Sequence, residues 1–485
     1  MNKPSRRQAG DGRESDVPAW AWVGGRAAGQ REDDDPTGRR PVVRRRVTSR
    51  SAAAGTTSGK AAPGTRRAAP RAGRSARLSP RAGKVTRPRA TAPPGLRERR
   101  WLLTLTLGLL LYGLVMAYSA STAKAFFTYG SSYYVIERQA IFAVIGVAAM
   151  FILSRVDYVW WQRAALPLFA VALTTLVLVL VPGVGSKING AQRWIIVNGF
   201  SFSPSELAKL ACITMAAGLV VQRPHDLLTG RGFARLAAVC VGPAAVLIML
   251  EPDLGSTIVL GFAVVAVLVI AGARGRHVMA LAGAGLALVG MLIVFEPYRM
   301  ARIMTFVDPW NDPQGAGFQT TQSLISIASG RLFGVGLGNS IQKFGFLPEQ
   351  TTDMITGIIG EELGLIGLLV LIGLYVGLIW IILRIALSCH ELYGKLLAVG
   401  IGCAIAGQAV INIGAALSVL PLTGVPLPLV SCGGTSLVVV LASIGIVANI
   451  ATNRRSYIVA SPERKARPGR GGGDRRPSHA GARRR

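Results

Sequence analysis

The sequence predicts an all-α polytopic membrane protein of about ten transmembrane helices, with one large extracytoplasmic loop between spans seven and eight. Three observations carry this prediction. Of the 485 residues, 51% are hydrophobic and 16% charged, which is too apolar for a soluble chain with a net charge of +30. The charge sits at the ends. Residues 1–100 hold 25 Lys and Arg against 8 Asp and Glu, residues 452–485 hold 11 against 2, and the stretch between holds 18 against 14. Between these tails, runs long enough to cross about 30 Å of hydrocarbon at about 1.5 Å per residue recur. They fall near 102–120, 137–154, 165–182, 205–222, 233–250, 256–273, 277–295, 356–383, 394–419 and 430–451.

The chain therefore divides into a basic tail (1–100), a membrane domain (101–455) and a second basic tail (456–485). Both tails are rich in Arg and lack an apolar period, which predicts disorder. Trp20 and Trp22 in the first read either as a partner contact or as an incidental pair. No cleavable signal peptide is expected, because the first long apolar run begins near Trp101. Anionic lipids are the natural partner of such tails, at about 1 kcal/mol per Arg near the surface. A nucleic-acid role has little support, since Arg-rich tails are generic.

Orientation follows from the connections. Those after spans two, four, six and eight are basic: Arg155 and Arg163; Arg223, Arg231 and Arg235; Arg274 and Arg276; Arg384 and Lys395. Those after spans five and nine carry no Lys or Arg. An even span count with basic tails puts both termini in the cytoplasm and residues 298–352 outside. His225, His277 and His390 then fall in inner connections and His479 in the tail, so acid–base chemistry on the outer face must use carboxylates. The five cysteines, Cys212, Cys240, Cys389, Cys403 and Cys432, lie in or beside apolar runs without paired spacing, which predicts packing residues and no metal site.

Candidate functional residues cluster in the outer connections. Ser203-Pro204-Ser205-Glu206 reads as a capping box with Pro at the first helical position. Lys209, one turn deeper, is costly in a membrane helix unless paired, and Glu206 at i−3 is a ready partner; a structural pair and a functional site both fit. Arg193, beside Gln192 and Trp194, either anchors the helix to headgroups or binds a phosphate. Glu251 and Asp253, in Glu251-Pro252-Asp253-Leu254-Gly255-Ser256, form either an aqueous turn or an electronegative pocket, with an ionic link to Lys209 as a variant of the second reading.

The large loop carries Arg299, Arg302, Arg331 and Lys343 with Asp308 and Asp312. Residues 322–333 alternate at helical spacing, which suggests a segment lying along the membrane surface. Gly334-Val335-Gly336-Leu337-Gly338 lacks a following Lys-Ser/Thr, so a flexible turn is expected and not a phosphate loop. Asp353 stands at the mouth of span eight. It reads either as an acid suited to the helix dipole, with Thr351 or Thr352 as cap, or as a reactive group. Glu361 and Glu362 lie about 12 Å deeper, where carboxylates are seldom idle, and Gly357, Gly360, Gly364 and Gly367 form a stripe for close helix contact. Pro421, Pro426 and Pro428, followed by Ser431 and Gly433-Gly434, predict a broken segment at membrane depth. Such backbone is tolerated only against protein or a water-filled cavity.

Taken in order, these pieces resemble the SEDS family (shape, elongation, division and sporulation proteins). The matching residues are Val115-Met116-Ala117-Tyr118-Ser119-Ala120-Ser121, Gly190-Ala191-Gln192-Arg193-Trp194 through Glu206 and Lys209, Glu251-Pro252-Asp253-Leu254-Gly255, and Pro348-Glu349 through Asp353 to Gly360-Glu361-Glu362-Leu363-Gly364. The Pro-rich turn with Ser431, Gly433, Gly434 and Ser436 completes the set. Span one and Ser131-Ser132-Tyr133-Tyr134 look more like the family's cell-division member than its rod-elongation member. Thr351-Thr352-Asp353-Met354-Ile355-Thr356 departs from the family's usual His-Thr-Asp-Phe-Ile-Phe but keeps the acid.

The resemblance implies a peptidoglycan glycosyltransferase of the bacterial cytoplasmic membrane. It would polymerise the lipid-linked disaccharide-pentapeptide precursor, lipid II, by inversion, with polyprenyl diphosphate leaving. Asp353 would be the catalytic base. Arg193, Lys209, Glu206, Glu251, Arg299, Lys343, Glu362, Ser431, Gly433 and Gly434 would bind substrate. A class B penicillin-binding protein and other division proteins would be partners, and a divalent cation, Mg or Mn, is the one cofactor to consider. A flippase for the same lipid, a rod-elongation polymerase and a non-catalytic scaffold are the competing readings.

Overall fold

The computed structural model describes residues 95–188, 191–197 and 200–453. Expectations about residues 1–94 and 454–485, including Trp20, Trp22 and His479, lie outside the described residues, while residues 96–100, read with the disordered first tail, open the first helix. Every predicted span is a helix. In order they are α1 (Leu96–Tyr129), α2 (Tyr134–Leu153), α3 (Tyr158–Leu180), α4 (Pro204–Gln222), α5 (Gly230–Leu250), α6 (Leu254–Ile270) and α7 (Gly275–Phe295). After the large loop come α10 (Ile355–Ser388), α11 (Leu392–Ala416) and α12 (Gly434–Thr452). Among the described residues nine helices are long and apolar enough to cross a membrane, and α6 is a shorter apolar helix of 17 residues. The chain is thus a multi-pass α-helical membrane protein.

The helices pack through their apolar faces into one core, with α4, α11 and α12 the most enclosed; Leu102, Leu109, Met150, Leu176, Ile213 and Leu260 are fully buried within it. By contrast α7 buries no residue. Residues facing lipid need only be apolar, whereas enclosed helices must also match shapes, and α11 does this with small residues such as Gly400, against which Ile213 and Val267 close.

The sequence reading overlooked a small sheet between α3 and α4. Strands β1 (Gly185–Ile188), β2 (Ala191–Val197) and β3 (Phe200–Phe202) run antiparallel in that order. Strands this short, inside one connection, leave too few residues for a period-two pattern to stand out. The sheet carries Arg193.

The large loop also differs from expectation. It holds α8 (Pro297–Val307) and α9 (Phe318–Ser329). Instead of lying on the membrane surface, α9 buries its hydroxyl face, Thr320, Thr321, Ser323 and Ser326. Ser326 Oγ donates to Gly357 O at 3.0 Å and Ser323 Oγ to Ala416 O at 2.9 Å. Small residues on α10 allow this approach, with Ile327 lying directly over Gly360.

The glycine run 334–338 is not a free turn either. At Gly364, with φ 67° and ψ −163°, α10 breaks. The loop supplies the backbone partners that the break removes. Leu365 N donates to Arg331 O at 2.9 Å, and Val335 N and Gly336 N donate to Glu361 O and Glu362 O at 2.9 and 3.0 Å.

Candidate functional site

Four connections meet at one end of the bundle: the β-sheet, the α5–α6 turn, the residues leading into α10, and the non-helical segment between α11 and α12. The last is the broken backbone expected from its prolines. Asn412, an amide inside α11, holds it in place. Its Nδ2 donates to Asp353 O at 2.9 Å and to Val425 O at 2.8 Å, while its Oδ1 accepts from Thr356 Oγ1 at 2.9 Å. Tyr375, within α10, donates to Pro428 O. Ser431 Oγ accepts from Leu427 N at 2.9 Å and donates to Thr352 O.

These ties bring Gly424 against the reactive groups. A Cβ there would lie 3.4 Å from Asp353 Oδ2 and 4.0 Å from Arg193 Nη1, and the φ of +74° is one that L side chains rarely adopt. The missing side chain leaves the space in which carboxylate and guanidinium face each other. Arg193 is held by Glu251 O, accepting from Nε at 3.0 Å, by Pro252 O, and by Asp253 Oδ2 at 3.9 Å. The cation beside Glu251 and Asp253 therefore comes from β2; the expected link to Lys209 is absent.

Asp353 precedes α10 and is not in its first turn. Met354 is the N-cap, and neither Thr351 nor Thr352 caps the helix; Thr352 Oγ1 donates to Glu349 Oε2 at 3.0 Å instead. Burial pushes the Asp353 carboxyl up to about 7, helped by Glu349 and Asp253 and opposed by Arg302 and Arg193. Among the described residues, nothing donates a hydrogen bond to its carboxylate. Glu251 is fully buried with neither carboxylate oxygen bonded, and burial, then Asp253, push it up to about 8 against the pull of Arg193. Such a carboxyl can take or release a proton near neutrality.

Other predicted residues lie elsewhere. Lys209 pairs with Glu206 at 2.7 Å, as its spacing suggested, and Gln408 Nε2 lies 3.4 Å from both Glu206 oxygens. The capping box does not form, because Glu206 is spent on Lys209 and Ser203 Oγ meets Ser205 Oγ at 3.1 Å. A cavity of about 30 Å³, room for about two waters, adjoins this pair and Ser443.

Lys343 and Glu362 form a second buried pair at 3.5 Å, with Ser119 Oγ 2.7 and 2.6 Å from the Glu362 oxygens. Arg299 donates to Leu292 O at 3.3 Å and Arg302 to Leu422 O at 2.9 Å. Gly433 caps α12, and Gly434 starts it under the ring of Phe142. Of the predicted set, then, Asp353, Arg193 and Glu251 converge, with Ser431 bracing them. Asp253, read with Glu251 as one side of an electronegative pocket, joins them, and so does Asn412, which was not expected; an amide deep in an apolar span was the available signal for it.

Among the described residues no group of three or more His, Cys, Asp or Glu is placed to hold a metal ion.

Residues 100–456 match the family of cell cycle proteins that takes in FtsW, RodA and SpoVE. The chain belongs to this family. Stage V sporulation protein E of Bacillus subtilis is 43% identical over 356 residues, which is 73% of this chain and 97% of that one. A probable peptidoglycan glycosyltransferase FtsW of Marinobacter nauticus is 40% identical over 375 residues, 76% and 94% of the two chains. A chain solved in a peptidoglycan synthase complex that coordinates polymerization and crosslinking has a TM-score of 0.61 at 29% identity, over 73% of this chain and 98% of that one. The rod shape determining protein RodA of Thermus thermophilus has a TM-score of 0.54 at 29% identity, over 73% and 97%. The resemblance read from the motifs is borne out.

Proposed function

We propose that this protein is a peptidoglycan glycosyltransferase that polymerises lipid II at the outer face of the cytoplasmic membrane, in cell division. The observation that carries the reading is Asp353. It is a carboxyl raised to about 7, short of hydrogen-bond donors and facing Arg193 across Gly424, in a family whose relatives bear that activity in their names.

The carboxylate of Asp353 takes the proton of the acceptor sugar's 4-hydroxyl. That oxygen forms a bond to the donor's anomeric carbon, the bond from this carbon to the diphosphate oxygen breaks, and polyprenyl diphosphate leaves with the electron pair, inverting the centre. Arg302 and Arg193 pull Asp353 toward its ionised form during the approach. Both termini are cytoplasmic in this scheme, which the charge asymmetry of the connections supports. A divalent cation, if used, would arrive on the diphosphate; activity with and without chelator tests this.

A crosslinking partner of the class B penicillin-binding type is supported by the synthase complex to which the chain is similar. The division role is supported by the FtsW relatives, while the sporulation and rod-shape relatives define the alternatives. A lipid II flippase is the second reading, and the Glu206–Lys209 pair with its small cavity is the observation in its favour.

The test is glycan formation from purified lipid II by the reconstituted protein, alone and with its transpeptidase. Polymer from wild type and none from Asp353→Asn is the expected result. Scrambling of lipid II across vesicles without polymer would replace this reading by the flippase.

A further inference from the structure

Inversion puts the departing diphosphate on the far side of the donor sugar from the base, so its charge needs a cation that is not beside Asp353. The cations described above are engaged. Arg193 is held by two carbonyls and Asp253, Arg302 by Leu422 O, Arg299 by Leu292 O, Lys209 by Glu206, and Lys343 by Glu362.

Arg138, in the second turn of α2, has neutral company. Its Nη1 lies 3.2 Å from Tyr134 Oη, and its Cζ lies 5.6 Å from the centre of the Tyr134 ring and 5.7 Å from that of Phe200. No carboxylate pairs with it among the described residues. Two aromatic faces hold a guanidinium upright and thin the water around it without cancelling its charge, so it keeps the capacity to bind an anion.

Its neighbours tie it to the Asp353 turn. Gln139 Nε2 donates to Ser431 O at 3.2 Å, Ser431 Oγ donates to Thr352 O, and Cys432 N donates to Thr351 O at 2.8 Å. Phe142 covers Gly434 and meets Phe200 edge-on at 5.6 Å, while Thr435 Oγ1 donates to Ser201 O at 2.8 Å. The start of α2, the strand β3 and the start of α12 thus form one wall that continues into the residues before Asp353.

We infer that Arg138 anchors the diphosphate of the lipid-linked substrate, as a substrate-binding residue of the site described above. This rests on the glycosyltransferase reading for its place in the reaction, but its binding can be measured without turnover. The probe is radiolabelled polyprenyl diphosphate bound to the full chain in nanodiscs, with polyprenol and phosphatidylglycerol as competitors.

Wild type and Asp353→Asn should bind alike. Arg138→Ala and Arg138→Gln should bind about 10- to 100-fold more weakly, the range of a charge-assisted contact, and Arg138→Lys should recover most of the loss. Neither competitor should displace the probe. In lipid II polymerisation the Ala and Gln variants should raise KM by a similar factor, with melting temperatures unchanged.

Binding by the Ala and Gln variants within about twofold of wild type would overturn the anchor. So would failure of wild type to bind the probe, or its displacement by phosphatidylglycerol, which would make Arg138 a contact for bulk lipid. If Ala fails to fold, the Gln and Lys pair carries the comparison. A wild type that binds the probe but makes no polymer sinks the glycosyltransferase reading and leaves the anchor standing.

Discussion

Asp353 and the Glu361–Glu362 pair are separated by fewer than ten residues, yet their carboxylates live in opposite surroundings. Glu361 accepts from Ser326 Oγ at 3.2 Å, from Ser340 Oγ and from Ile341 N at 2.9 Å. Glu362 has Ser119 and Lys343. Asp353 has an Arg across an open space, burial around it, and no donor on its carboxylate among the described residues. A carboxylate saturated by donors holds the loop to the helix and has nothing left to exchange. One short of donors, with its proton affinity raised toward neutrality, is prepared to take a proton. Depth in the membrane made Glu361 and Glu362 conspicuous in the sequence, but coordination, not depth, separates the two roles.

The sharpest test of this contrast sets activity against stability. Asp353→Asn should cut polymerisation by about 10²- to 10⁴-fold, the range of a lost general base, and leave folding intact. Glu362→Ala strands Lys343 in the interior and should cost about 3–5 kcal/mol of stability, read as a lower melting temperature and yield. Loss of stability at 353 with loss of turnover alone at 362 would break the comparison.

Next in size is Gly424→Ala. A side chain in the left-handed region costs about 1–2 kcal/mol, and this one would take up the space between the Asp353 carboxylate and the Arg193 guanidinium, so activity should fall about tenfold or more while Arg193 and Asp353 remain in place.

A pH profile sharpens the contrast further. Asp353 must be ionised to act, so polymerisation should rise through about pH 7. Arg193 favours the ionised form, so Arg193→Gln should move that limb to higher pH. The stability sign runs the other way. With its proton held more tightly when folded, Asp353 adds stability that is fully present below about 3.8 and is lost as pH rises through about 7. Melting curves of wild type and Asp353→Asn should coincide in acid and separate at pH 8, with the variant more stable.

Much of the fold was legible because one physical quantity set it. Hydrocarbon thickness demands apolar runs of a certain length, and all ten runs became helices. The pairing of Lys209 with Glu206 was legible too, since both lie on one helix three residues apart. Less was legible wherever the partner came from far along the chain. The hydroxyl face of α9 reads as amphipathic surface until Gly357 and Ala416 supply carbonyls for it. The glycines 334–338 read as slack until the break at Gly364 gives them backbone to bond.

By itself the sequence determined the ten apolar helices, the segment of broken backbone and the residue types able to do chemistry at one end of the bundle. These depend on the solvent a segment meets and on intervals of a few residues. Tertiary structure alone decided which of those groups meet. It set Arg193 opposite Asp353, left the Glu251 carboxylate without a hydrogen bond among the described residues, and committed Glu362 to Lys343, because such contacts join residues tens to hundreds of positions apart, and only packing chooses among them.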